Sequence, residues 1–169
     1  HLLSCSPCPV LVTRWKEADL DAVSARACRG YSCALVALDG SESSHRALGA
    51  LPALLAETGA RAILLSALDL PLEHHTPWEV AERSQAGYLR EQAAALARSS
   101  FQVECVVGHG SPARTIVNLA SEHGAELVLT GSRGRGAVAR LLLGSVAREV
   151  ARTSNCPVLV IRGSSGLLP

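Results

Sequence analysis

Residues 126–146 read ELVLTGSRGRGAVARLLLGSV. A short apolar run, Glu126–Thr130, stops in a segment with glycines at 131, 134, 136 and 144, and a helical stretch follows over about Ser145–Arg152. An apolar run of this length fits a buried strand, and closely spaced glycines end it. Strand, glycine-rich turn and helix, in that order, form the unit from which parallel sheets are built.

The same alternation extends outward from this stretch. Tyr31–Leu38 (YSCALVAL) is an apolar run closed by the turn formers Asp39-Gly40-Ser41. A helical stretch then runs from about Glu42 to Thr58, and Pro52 predicts a kink or a late helix start within it. Arg61–Leu68 (RAILLSAL) reads as the next strand, residues 71–77 as a surface loop and Trp78–Arg98 as a long amphipathic helix. Phe101–Val107 (FQVECVV) follows as a strand. Ser111 is then the expected N-cap, and Pro112 the first residue, of a helix reaching about His123. Pro157–Ile161 is the last strand. The expectation is an α/β fold: an open five-stranded parallel sheet with helices on both faces, Rossmann-like.

Composition narrows the function classes. Of 169 residues, 48% are hydrophobic but only 3% aromatic, so Ala, Leu and Val must fill the core. Sixteen basic and fifteen acidic side chains leave a formal charge of +1, without the segregated basic excess of a nucleic-acid or membrane-surface binder. No apolar run approaches the ~18 residues of a membrane span, and the opening HLLSCSPCPVLVTR lacks the basic start of a signal peptide. Cys5 and Cys8 form a C-x-x-C without the second pair a zinc ribbon needs; Cys28, Cys33, Cys105 and Cys156 add none. These read as buried or incidental thiols of a cytoplasmic protein. His74-His75 lacks a third metal ligand and reads as exposed loop.

The first thirty residues stand outside the alternation. Cys8-Pro9-Val10-Leu11-Val12 repeats as Cys156-Pro157-Val158-Leu159-Val160, and the same offset sets Leu2-Leu3-Ser4 on Val150-Ala151-Arg152 and Thr13-Arg14 on Ile161-Arg162. Residues 1–14 are therefore expected to be the last helix turn and strand of a preceding, mostly missing repeat. Residues 15–29 would be a linker, and residues 30–169 the main domain. The absence of Met and the start at His1 agree with a fragment.

The glycine-rich segment carries the chemistry. Amides of a glycine turn and of a helix N-terminus converge on anions, and Arg133, Arg135 and Arg140 would raise the local potential. In open parallel sheets, ligands collect beyond the carboxyl ends of the strands. Gly131 to Gly136 fits the glycines of a P-loop, but Ala137-Val138 stands where Lys and Ser/Thr must be. Gly134, Gly136 and Ala139 fit a dinucleotide pattern, but after the fourth strand, not the first, and without the acidic residue that should follow.

A third pattern fits better. Gly131-Ser132-Arg133-Gly134, nine residues, then Gly144-Ser145 resembles the G-x2-G-x9-G-[ST] nucleotide signature of the universal stress protein family. LVALDGSESSHRAL, ILLSALD, GSPARTIVNLASEHGAELVLTGSRG and GSVAREVARTSNCPVLVIR resemble successive segments of that family, covering about residues 30–162. The resemblance implies an adenine nucleotide alpha hydrolase-like fold that in some members binds ATP, here with Mg2+, and in others no nucleotide. Carried over by position, Asp39 would face the nucleotide, Ala37 and Leu38 would line the base, and Ala67 would offer backbone groups to the adenine edge. Gly131, Arg133 and Gly134 would flank ribose and phosphate, and Gly144, Ser145, Val146 and Ala147 would donate from the helix start. It also implies pairing of C-terminal strands across a two-fold axis, so Val158–Ile161 would be an edge seeking a partner, either in a homodimer or from Val10–Thr13 within the chain. A linker of about 16 residues reaches up to roughly 50 Å, which suffices.

Each residue also has a plainer reading. Asp39 makes Asx turns in D-G-S sequences, Gly134 and Gly136 serve wherever φ is positive, and Ser145 caps helices. The arginines could form a solvated face near Glu149. No catalytic set is present: Lys16, the only Lys, lies in the linker, and Asp39 is the one carboxylate tied to the motif. The leading expectation is an ATP-binding, nucleotide-responsive stress regulator, not an enzyme. The alternatives are a nucleotide-free structural or dimerisation module and a slow nucleotide hydrolase.

Overall fold

The computed structural model describes residues 8–13, 30–55, 59–69, 77–134 and 143–162. The strands are β1 (Val10–Val12), β2 (Cys33–Ala37), β3 (Arg61–Leu68), β4 (Gln102–His109), β5 (Leu127–Gly131) and β6 (Val158–Ile161). Between them lie α1 (Glu42–Gly49), α2 (Leu51–Leu54), α3 (Trp78–Ala95), α4 (Pro112–Glu122) and α5 (Ser145–Thr153). Pro52 acts as expected: α1 stops at Gly49, and Pro52 sits in the first turn of the short α2. The predicted helix turn at residues 2–4, the linker, most of the 71–77 loop with His74-His75, and Arg135, Gly136 and Arg140 lie outside the described residues.

Strands β2 to β6 form the parallel sheet, but the sheet has six strands where five were expected. Its order is β1-β6-β5-β2-β3-β4. The addition is β1, antiparallel to β6 with Val10 opposite Val160, Leu11 opposite Leu159 and Val12 opposite Val158. An edge strand presents unpaired N–H and C=O groups, and β1 satisfies those of β6.

Side chains alternate across the sheet and sort the core into two layers. From β2, Ala34 and Val36 join Leu64, Leu127 and Leu129 under α1, α2 and α3; Cys33 and Leu35 join Ile63, Val128 and Val158 under α4 and α5. Strands apolar on both faces are what a doubly covered parallel sheet requires.

Two caps differ from expectation. Ser111 holds the N-cap position of α4, but its side chain makes no capping bond; its carbonyl accepts from Thr115 N–H at 3.0 Å, and Thr115 Oγ1 reaches back to His109 O at 3.1 Å. Ser145 is the first residue of α5, not its cap, because Gly144 takes that position. Glu149 pairs with Arg152 at 2.7 Å on the same helix. No helix among the described residues is long and apolar enough to cross a membrane.

Candidate functional site

From β2 the chain moves outward to β3 and β4, then returns to β5 on the other flank of β2. The carboxyl ends of β2 and β5 therefore border the point where strand order reverses, and a crevice opens there because the following helices lie on opposite faces. In this molecule the crevice is a cleft of about 390 Å³, a size suited to a small ligand.

Asp39 and the serines after it shape one side. Gly40 has φ of 76°, and the turn brings Ser41 N–H to Asp39 Oδ1 at 3.0 Å. Ser41 then caps α1, its Oγ accepting from Ser44 N–H at 3.2 Å. So Asp39 does make the Asx turn of its plainer reading, yet only through one oxygen. Oδ2 faces Gly134: a Cβ built there would stand 2.8 Å from it. Half-burial raises the Asp39 carboxyl, but hydrogen bonds from the Ser41 side chain and N–H, and from Ser44, outweigh it and hold the group below its ordinary 3.8. The carboxylate is ionised at neutral pH.

The same serines anchor the glycine loop. Ser43 Oγ donates to Arg133 O at 2.5 Å and Ser41 Oγ at 3.1 Å. Gly131 lies so close to α1 that an added Cβ would sit 2.8 Å from Ser44 N. Across the loop, Ser132 O accepts Gly144 N–H at 2.7 Å, fixing the start of α5. Gly144 thus departs from the expected set of donors, since its N–H is already engaged. Helix geometry leaves the amides of Ser145, Val146 and Ala147 without intrahelical acceptors, and with the dipole they make this end of the cleft an anion site. Arg133, half-buried, lines the same end.

The opposite end is apolar. Leu65, Pro112 and Ile116 face the cleft beside Ala37, Leu38 and Ala67. Ala67 has a specific property. Leu38 N–H bonds Leu65 O at 2.8 Å as the β2–β3 ladder ends. Backbone groups alternate sides along a strand, so those of Ala67 point the same way as those of Leu65, past the place where β2 has turned away. They are offered to whatever fills the cleft.

The structure brings Ala37, Leu38, Asp39, Ala67, Gly131, Arg133, Gly134, Gly144, Ser145, Val146 and Ala147 around this one cleft. Sequence reasoning missed Ser44, Leu65, Pro112, Ile116, Thr130 and Ser132. Pro112 and Ile116 follow helical spacing on the apolar face of α4, which reads as core until that helix is placed beside the crevice. Among the described residues no cluster of His, Cys, Asp and Glu could hold a metal by itself. Cys33, Cys105 and Cys156 are free thiols, none of them lining the cleft.

A doubly wound parallel sheet with a cleft at its switch point, apolar at one end and anion-attracting at the other, places the domain among the Rossmann-like α/β folds. The chain belongs to the universal stress protein family, whose family model matches residues 30–162. The universal stress protein YxiE of Bacillus subtilis is 33% identical over 143 residues, spanning 76% of this chain and 97% of that one. Against three mycobacterial universal stress proteins, 32% identical over 105 residues, the match covers only 35% of the relative's length. A solved universal stress protein in complex with cAMP shares 31% identity at a TM-score of 0.59, covering 80% of this chain and 99% of that chain. An Arabidopsis thaliana family member with AMP bound has a TM-score of 0.59 over 79% of this chain and 93% of that one; at 18% identity the likeness is of fold alone.

Proposed function

We propose that the domain binds an adenine nucleotide, ATP with Mg2+ foremost, in the switch-point cleft, and acts in the cytoplasm as a nucleotide-responsive stress regulator. The observation that carries this is the division of the cleft, with an apolar wall and the open Ala67 backbone at one end and Arg133 and the start of α5 at the other. That polarity suits a flat base joined through a sugar to phosphates. Mg2+ is commonly held by one or two carboxylates together with substrate phosphates. Ionised Asp39 is the one carboxylate among the described lining residues, so a metal would depend on the nucleotide. A single carboxylate with no Lys or His among the described lining residues favours binding over turnover; phosphate release that disappears in Asp39→Ala would overturn that part. Calorimetry with ATP, with and without Mg2+, and with AMP and cAMP is expected to show saturable heat below millimolar concentration. No heat at near-millimolar nucleotide leaves the nucleotide-free module as the reading.

The β1–β6 register supports a second reading, of assembly. Because Val10 and Val12 correspond in sequence to Val158 and Val160, pairing Val10 with Val160 and Val12 with Val158 centres on Leu11 and Leu159. This is the pattern of one strand meeting its own copy about a two-fold axis. We propose that β1 is the last strand of a preceding repeat and that the pair is a pseudo-dimer. Leu159 packs into the layer beneath α1, whereas Leu11, on the same face, is 47% exposed. A preceding repeat would supply the matching helix. A Leu11→Cys thiol should react with alkylating agent at least about tenfold more slowly once a whole repeat precedes it; equal rates would sink the idea.

A further inference from the structure

Three groups converge on the carbonyl of Ser41, the residue whose N–H closes the turn onto Asp39. His45 N–H reaches it at 3.1 Å, Ser44 Oγ at 2.9 Å and Nδ1 of the His45 ring at 2.9 Å. The first of these is the ordinary opening bond of a helix. The ring contact is the unusual one. A carbonyl oxygen can only accept, so His45 Nδ1 carries the proton and Nε2 presents its lone pair. Tyr88 of α3 meets that lone pair, with its hydroxyl 3.3 Å from Nε2 and the two rings edge to face at 85°, centroids 6.0 Å apart. The imidazole is exposed, so these contacts, and not burial, set its orientation. Hydrogen bonds then run in one direction, from the Tyr88 hydroxyl to His45, from His45 to the Ser41 carbonyl, and from Ser41 N–H to Asp39.

We propose that His45 is a positioning residue of the cleft: its imidazole, oriented by Tyr88, holds the Ser41 turn and thereby the Asp39 carboxylate in place for the sugar–phosphate part of the ligand. This rests on reading the cleft as a nucleotide site, and it places a determinant of that site on a helix surface outside the cleft lining. The base end, at the wall made by Leu65, Pro112 and Ile116, is not held by this turn.

The test compares wild type with His45→Leu and His45→Asn by calorimetry with ATP and with adenine, and by amide exchange at Ser41 and Ser44 in the ligand-free protein. Leucine is a better helix former than histidine and removes the ring donor; the asparagine amide nitrogen takes the place of Nδ1. His45→Leu is expected to bind ATP about fivefold more weakly, the loss of one hydrogen bond, to bind adenine as wild type does and to exchange both amides faster. His45→Asn is expected to restore ATP affinity and exchange toward wild type. Unchanged ATP affinity in His45→Leu overturns the inference, and so does an asparagine variant no better than leucine. If wild type takes up neither ATP nor adenine, the nucleotide reading fails and exchange decides: faster in leucine and restored in asparagine upholds the hold of His45 on the turn, and equal rates overturn it.

Discussion

Gly131→Val is expected to lose about 3 kcal/mol of stability, unfold roughly 10 °C lower and bind no measurable nucleotide. A Cβ at this position would stand 2.8 Å from Ser44 N and 2.9 Å from the Ser43 carbonyl carbon, both backbone atoms of the first turn of α1. Backbone cannot rotate aside as a side-chain tip can, so β5 and α1 must separate. Separation also strains the bonds from Ser41 and Ser43 to the Arg133 carbonyl, which hold the glycine loop. Gly87→Ala in α3 is the control: nothing lies within 4 Å of the added methyl, and alanine in a helix is favoured over glycine by about 1 kcal/mol. Opposite signs at two glycines, read by thermal and denaturant unfolding, separate close approach from intrinsic propensity. A Gly131→Val protein as stable as wild type would mean that α1 does not press on β5.

The glycines also mark where sequence reading reached its limit. Strand and helix periods located β2 to β6 to within a few residues, because a doubly covered sheet leaves uninterrupted apolar runs. The spacing of Gly131, Gly134 and Gly144 showed where a ligand belongs. Spacing cannot show that Gly131 is glycine because α1 touches it, nor that the Gly144 N–H is already taken by Ser132. Those facts depend on how separate elements cross in space. The sixth strand was legible only through the repeated CPVLV, since three residues of β1 carry no periodicity of their own. Ser132 left no sequence signal at all: a serine after Gly131 reads as an exposed turn former, and only the structure shows that it is fully buried.

Asp39→Ala is expected to weaken ATP binding about 30-fold and to cost about 2 kcal/mol of stability at pH 7, figures in the range for a lost hydrogen bond to a charged group. Both effects come from one carboxylate with two tasks. Oδ1 closes the turn onto Ser41 N–H, which sets the N-cap and thereby the serines that hold Arg133. Oδ2 faces Gly134 across the mouth of the loop, where a sugar hydroxyl or a nucleotide-bound cation would meet it. Asp39→Asn separates the tasks, because an amide oxygen still accepts from Ser41 but carries no charge; its stability should fall between the other two. The pH dependence has a definite sign. The folded carboxyl lies below its ordinary 3.8, so its stabilising charge is fully present above that value and is lost as pH falls through the lower, folded value. Denaturant unfolding should therefore show wild type and Asp39→Asn apart at pH 7 and drawing together as pH falls below 3.8. A gap that does not narrow at all as pH falls below 3.8 would assign the stability to the shape of the turn instead of the charge, and would leave Oδ2 free to serve the ligand alone.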